Sequence, residues 1–219
     1  PKPSSAASDV YKRQIGKSVG ASVRFPIENS DRKIEVFTTR ADTLFGVTFL
    51  TLAPEHEWVA EITTDEQREA VVAYVTQTAQ RSERERMSDV SRISGVFTGA
   101  YAIHPVTNEK VPIWIGDYVL AGYGTGAVMA VPCGDQRDFD FAKHFELPIK
   151  NIFKDVDIAE AAFSDKEKTV IANSDFLDGL SYVDATQKII EHLGAIGMGE
   201  GATTYRLRDA VFSRQRYWG

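Results

Sequence analysis

Short runs of β-branched and aromatic residues, each cut off by Gly, Pro, Asn or Asp, recur along this 219-residue chain. Residues 21–27 alternate apolar and polar positions, Asn29-Ser30-Asp31 signals a turn, and residues 33–37 read as the partner strand. Residues 46–52, 95–103, 111–120 and 128–132 carry the same signature, with a turn around Pro105-Val106-Thr107-Asn108. Helical patterns fall between them. Pro54 starts a short helix carrying Trp58, and Thr64-Asp65-Glu66-Gln67 fits a capping box that opens a helix to about Arg86. Val71, Val72, Val75 and Ala79 would form the buried stripe of that helix. Residues 135–145 and 184–196 read as two more helices, the second with Ile189, Leu193 and Ile196 on one face and a glycine-rich stop after it. Many short strands with a few helices predict a strand-rich, barrel-like α+β domain with peripheral helices.

Charge and cysteine usage narrow the function. A net charge of −6 argues against a protein that coats nucleic acid through a broad basic surface, though not against a local patch. Arg81, Arg84 and Arg86 form one candidate patch, which reads as a solvated face; Arg206, Arg208, Arg214 and Arg216 form another. A single cysteine, Cys133, excludes an internal disulfide and a CxxC zinc site, and suits a reducing cytoplasm. No apolar run approaches the length that spans a bilayer, so no membrane is expected. Residues 1–14 are small, polar and aperiodic, and read as a non-native or disordered leader.

Three motifs fail on context. Gly16-Lys17-Ser18-Val19-Gly20 matches the G-x-S-x-G nucleophile elbow, but a strand rather than a helix follows it. Its Gly-Lys-Ser has Tyr11 where a P-loop needs glycine. Gly122-Tyr123-Gly124-Thr125-Gly126-Ala127 fits a dinucleotide fingerprint, yet it too leads into a strand, so no helix N-terminus would face a pyrophosphate. The histidines, His56, His104, His144 and His192, are scattered and read as surface residues.

The polar cluster Thr38-Thr39-Arg40-Ala41-Asp42-Thr43 sits at a strand end, where rigid scaffolds carry sites. Gly124-Thr125-Gly126-Ala127-Val128-Met129-Ala130-Val131-Pro132 and Asp135-Gln136-Arg137-Asp138 follow it in order. Together these blocks resemble the editing insertion, connective polypeptide 1, of the bacterial-type leucyl-tRNA synthetases. Residues 95–102, 176–181, 205–209 and 213–219 agree with the same family, and the resemblance covers residues 15–219. It implies an editing domain over residues 15–205, with residues 206–219 starting the return into a catalytic domain. The chain departs from the family pattern at Ala41, where proline is usual, at Cys133-Gly134, where Gly-His is common, and at Gln14, where tryptophan is usual.

The resemblance implies post-transfer editing: hydrolysis of the aminoacyl ester on mischarged tRNA(Leu), carrying isoleucine, methionine or norvaline. A pocket choosing between aliphatic side chains gains only ~1–3 kcal/mol per methylene, so a second, hydrolytic site must remove errors. The ester is already activated, so oriented water and oxyanion stabilisation suffice. By resemblance, Thr38 and Thr39 position water or the oxyanion, and Asp138 binds the α-ammonium group. Arg40 holds RNA phosphate or ribose, and Thr43 excludes leucine by bulk. Met129 and Val131 line the amino-acid pocket, Tyr123 faces the adenosine, and Asp135 binds substrate or caps the following helix. The resemblance implies a monomer that needs no metal or cofactor in this segment; ATP and Mg serve the parent enzyme's synthetic core. The rival readings are a free-standing or sister-specificity trans-editing hydrolase and an RNA-binding module without catalysis.

Overall fold

The computed structural model describes residues 15–89, 92–122 and 124–207. The predicted leader at 1–14 and the segment 208–219, with Arg208, Arg214 and Arg216, lie outside them. The fold is α+β. Seven strands are described: β1 (Ile15–Pro26), β2 (Lys33–Thr38), β3 (Phe49–Leu52), β4 (Gly95–Ile103), β5 (Lys110–Gly116), β6 (Ala127–Ala130) and β7 (Gly199–Leu207). They form a three-stranded sheet, β2-β1-β7, and a four-stranded sheet, β4-β5-β3-β6, antiparallel throughout except for β3 beside β5. The two sheets meet at both edges of the larger one. Ile27 bridges to Ala102 beyond the end of β1, and β2 lies against β6. The barrel-like closure is therefore made by packing and one bridge, while the hydrogen-bonded ladders remain two separate sheets. Phe25, Ile34, Leu44, Leu50, Ile113 and Ile115 fill the space between them.

Strand β1 is longer than the predicted 21–27 because its first half pairs with β7, from Ile15 opposite Leu207 to Val23 opposite Gly199. Only from Ala21 onward does it also pair with β2. The expected editing boundary at residue 205 falls inside β7. Residues 46–52 are strand only from Phe49; the preceding Ala41–Gly46 is a buried 3-10 turn.

The helix expected from Thr64 to about Arg86 is two helices. After the short α1 (Val59–Ile62), α2 runs Arg68–Ala79 without a side-chain cap, because the Thr64 N–H donates to Thr98 O of β4. The reciprocal capping box is at Ser82 and Glu85, which opens α3 (Glu83–Ser88). The buried stripe of α2 is Val71, Tyr74 and Thr78, while Val72 is 59% exposed. Tyr74 can be buried because its hydroxyl meets Ser94 Oγ at 2.8 Å and accepts from the Asp117 N–H at 2.9 Å. The restart at Ser82 also changes the arginine cluster. Arg81 pairs with Asp117 and Asp89, Arg86 is buried against Glu55, and Arg84 alone keeps the solvated place expected of all three.

Helix α4 (Gln136–His144) is seated by a second, aromatic cluster. Phe141 stacks on Phe49 of β3 with centroids 5.0 Å apart, and Trp114 and Phe145 close around it. Helix α5 (Tyr182–Ala195) starts at Ser181, whose hydroxyl accepts from the Asp184 N–H, and buries Ala185, Ile189 and Leu193. Ile196, expected on that face, lies past the helix end and is 41% exposed. Gly197, at φ +69°, then takes the left-handed conformation that turns the chain into β7.

Candidate active site

The end of β2, the 3-10 turn, strand β6 and the start of α4 enclose a cleft of about 490 Å³. Thr38, Thr39, Arg40, Thr43, Met129, Val131, Asp135 and Asp138 all line it. These are the residues singled out in the sequence, except for Tyr123, which lies outside the described residues.

The segment after β2 is a hydrogen-bonded unit. Thr38 Oγ1 accepts from the Arg40 N–H at 3.0 Å, and a hydroxyl that accepts still has its own proton to give. The Arg40 carbonyl accepts twice from Thr43, from its N–H at 3.1 Å and from its hydroxyl at 2.8 Å. The Thr43 hydroxyl proton is therefore spent, and what this nearly buried side chain offers the cleft is bulk. Thr39 is exposed, with its carbonyl accepting from the Tyr182 hydroxyl at 3.3 Å. The Arg40 guanidinium forks onto Asp42, Nε to Oδ1 at 3.0 Å and Nη2 to Oδ2 at 2.9 Å, and lies over the Tyr182 ring. Burial raises the Asp42 carboxyl above its ordinary range, and the arginine beside it pulls it back in part. Two of Arg40's donors are committed to this pair.

On the other wall, Asp135 caps α4 as the sequence allowed, Oδ1 accepting from the Arg137 N–H at 2.9 Å and the Asp138 N–H at 3.2 Å. Asp138 stands in the first turn of that helix, 9% exposed. Its Oδ2 accepts from the Val131 N–H at 2.8 Å. Burial, reinforced by the neighbouring Asp135 charge, pushes the Asp138 carboxyl up to about 8. The Val131 N–H and the Arg137 charge pull it back only in part.

The cleft has further walls that the sequence did not single out: Ser18, Phe37, Val128, Tyr118 and Arg137. Phe37 and Val128 adjoin predicted residues on the same strands, but successive strand side chains point to opposite faces, so the pleat gave no signal for them. Ser18 sits in the discarded elbow motif, which is plain β-strand here. Tyr118 follows β5, far from every motif; Arg137 lies over its ring and its hydroxyl donates to Thr51 Oγ1 at 2.9 Å.

Among the described residues no histidine lines the cleft. His104, expected at the surface, is a core residue. Its Nδ1 accepts from the Val106 and Thr107 N–H groups, which assigns the proton to Nε2, 3.0 Å from Leu44 O. Burial lowers its pKa, which keeps it neutral there. Among the described residues no group of His, Cys, Asp and Glu could hold a metal, and no helix is long and apolar enough to cross a membrane. Cys133 is fully buried, and burial pushes its thiol up to about 11. It is expected to resist alkylation by iodoacetamide at neutral pH in the folded protein and to react in denaturant; rapid labelling of the folded chain would show the opposite.

Comparison with known proteins gives one consistent answer. The family profile "Leucyl-tRNA synthetase, editing domain" matches residues 12–194. The chain is 69% identical to a leucine–tRNA ligase of Christiangramia forsetii, over 94% of the chain and 21% of that protein. It is 65% identical to that of Flavobacterium johnsoniae, over 99% of the chain and 23% of the relative. Among solved structures, the LeuRS of Agrobacterium radiobacter K84, in a ternary complex with tRNA and LeuAMS, superposes with a TM-score of 0.72 at 35% identity, over 94% of this chain and 22% of that one. The chain thus spans about a fifth to a quarter of the length of the curated relatives it matches.

Proposed function

The chain belongs to the leucyl-tRNA synthetase editing-domain family, and from that premise we propose that it hydrolyses the aminoacyl ester of mischarged tRNA(Leu). The observation that carries this is the convergence of two distant motifs on one cleft, with threonine hydroxyls on one wall and a proton-holding carboxyl on the other. Water attacks the ester carbonyl carbon, the bond to the terminal ribose oxygen breaks, and the proton lost by water ends on that oxygen. Free amino acid and uncharged tRNA leave.

In this reading Thr38 gives its hydroxyl proton to the developing oxyanion or orients the water, and the exposed Thr39 assists. Asp138 takes the α-ammonium group, a charge-assisted contact that fixes the carbonyl against the threonines. Met129 and Val131 face the amino-acid side chain, and Thr43 denies room to leucine. Arg40 reaches the RNA with the donors that Asp42 leaves over, Tyr123 serves the terminal adenosine, and Asp135 both caps α4 and borders the substrate. The expected substrates are isoleucyl, methionyl and norvalyl tRNA(Leu). The partner is the 3′ acceptor end of tRNA, the place of action is the cytoplasm, and the working unit is one copy of the chain.

The test is deacylation of Ile-tRNA(Leu) and Leu-tRNA(Leu), by the chain and by a full-length leucine–tRNA ligase carrying it as its editing segment. Release of isoleucine with leucine retained is expected. Tight tRNA binding with no release of either amino acid would establish the RNA-binding reading instead.

A further inference from the structure

The 3-10 turn that carries Thr43 ends at Gly46, behind the cleft wall. A methyl group built on Gly46 would lie 3.0 Å from Val131 Cγ1, 3.0 Å from Cys133 Sγ and 3.2 Å from Ile152 Cδ1. Three side chains thus rest on bare backbone, closer than nearly all Cβ contacts, so an added Cβ makes a neighbour give by a few tenths of an ångström. Cys133 and Ile152 are sealed in the core, whereas Val131 alone of the three lines the cleft.

We propose that Gly46 is a specificity-determining residue: its missing side chain lets Val131 sit back, and this sets the depth of the pocket for the aminoacyl side chain. The inference rests on the editing reading, since it takes Val131 as a wall of the amino-acid pocket. Close-packed interiors relieve an added methyl along the softest direction. Cys133 is 0% exposed, so its thiol has no open volume to move into. Ile152 has core on every side, being 1% exposed. Only Val131 borders open volume, so a Cβ at position 46 is relieved by moving Val131 forward. The pocket then shortens without any change in a residue that touches substrate. Thr43 and Gly46 would shape one pocket from a single turn, the first by occupying space and the second by vacating it.

The test compares deacylation of isoleucyl and alanyl esters of tRNA(Leu) by the unsubstituted protein, Gly46→Ala, Val131→Ala and Gly46→Ala/Val131→Ala, each in the full-length ligase. Gly46→Ala should lower kcat/KM for the isoleucyl ester about tenfold relative to the alanyl ester. In the Val131→Ala background the same substitution should leave the ratio unchanged, because the methyl it pushes against is gone. An unchanged ratio in Gly46→Ala, or an equal change in both backgrounds, overturns the proposal. Failure of both Gly46 variants to fold assigns the glycine to packing alone and overturns it too. If the unsubstituted protein hydrolyses neither ester, the editing reading itself falls.

Discussion

Thr43→Ala is expected to hydrolyse the leucyl ester of tRNA(Leu) about tenfold to a hundredfold faster than the unsubstituted protein, the effect of a methylene-sized change in a hydrophobic pocket. Isoleucyl hydrolysis should change little. Thr43 is 3% exposed and lines the cleft, and its hydroxyl is tied to the Arg40 carbonyl. A β-branched side chain with one branch tied cannot swing aside to admit a γ-branched substrate. Alanine removes the bulk and keeps the Thr43 N–H bond to Arg40 O that holds the turn. Thr43→Val separates the two properties. It keeps the volume, gives up the hydroxyl, and should still spare leucine. Deacylation rates for the two esters across these variants are the measurement. An intact leucyl ester with Thr43→Ala, or lost discrimination with Thr43→Val, would mean that bulk is not the gate.

The second large effect is expected at Asp138. Asp138→Ala should lower isoleucyl deacylation by about a hundredfold or more, since a buried charge-assisted contact contributes ~3 kcal/mol. It also removes the acceptor of the Val131 N–H, so Asp138→Asn, which can keep that bond, is the cleaner variant. The pH dependence tells the two apart. With its pKa raised to about 8, Asp138 holds a proton in the folded chain at pH values where the unfolded chain has lost it. Stability should therefore fall as pH rises from the ordinary aspartate range to about 8, then level off. Asp138→Asn should not show that decline. For the substrate the sign reverses, because an α-ammonium group favours the carboxylate and binding must expel the proton. Isoleucyl kcat/KM should rise toward about pH 8 in the unsubstituted protein, and that limb should vanish in Asp138→Asn. Thermal melts and deacylation profiles measure the two arms. Parallel pH curves for both proteins would show that the carboxyl is not a binding group.

What could be read from the sequence followed the locality of each signal. Strand alternation placed β2 and β4 almost to the residue, because both faces of a pleated strand are written in a period of two. The signature for one long helix from Thr64 is real only in composition; the Thr64 N–H has a partner in β4 that no local rule sees. The stripe of α2 was misplaced by one position because Tyr74 and Thr78 look polar in sequence, yet Tyr74 is buried with its hydroxyl satisfied. Strand β7 went unread, since Gly199 and Gly201 and its polar residues mean little until β1 lies beside them. Thr38, Thr39, Arg40, Thr43, Met129, Val131, Asp135 and Asp138, which line the cleft, were legible as motifs, but Tyr118 and Gly46 were not. Their relation to the cleft comes from chain crossings and from a space left empty, and neither leaves a mark in composition.

The pairing of Ile15 with Leu207 has a consequence for how such a unit can be housed. Two strands that run together to their outer ends bring the outgoing chain back beside the incoming one. A polypeptide continuing past both strands would lead away as adjacent threads, so a host fold would meet the whole domain as a loop of almost no span. Loop-closure entropy grows only logarithmically with length, and here the domain closes its own loop by folding. The host's stability would then be nearly indifferent to the size of what hangs from the ribbon. Joining those two ends directly and reopening the chain elsewhere should likewise give a circular permutant with the same sheets and the same cleft.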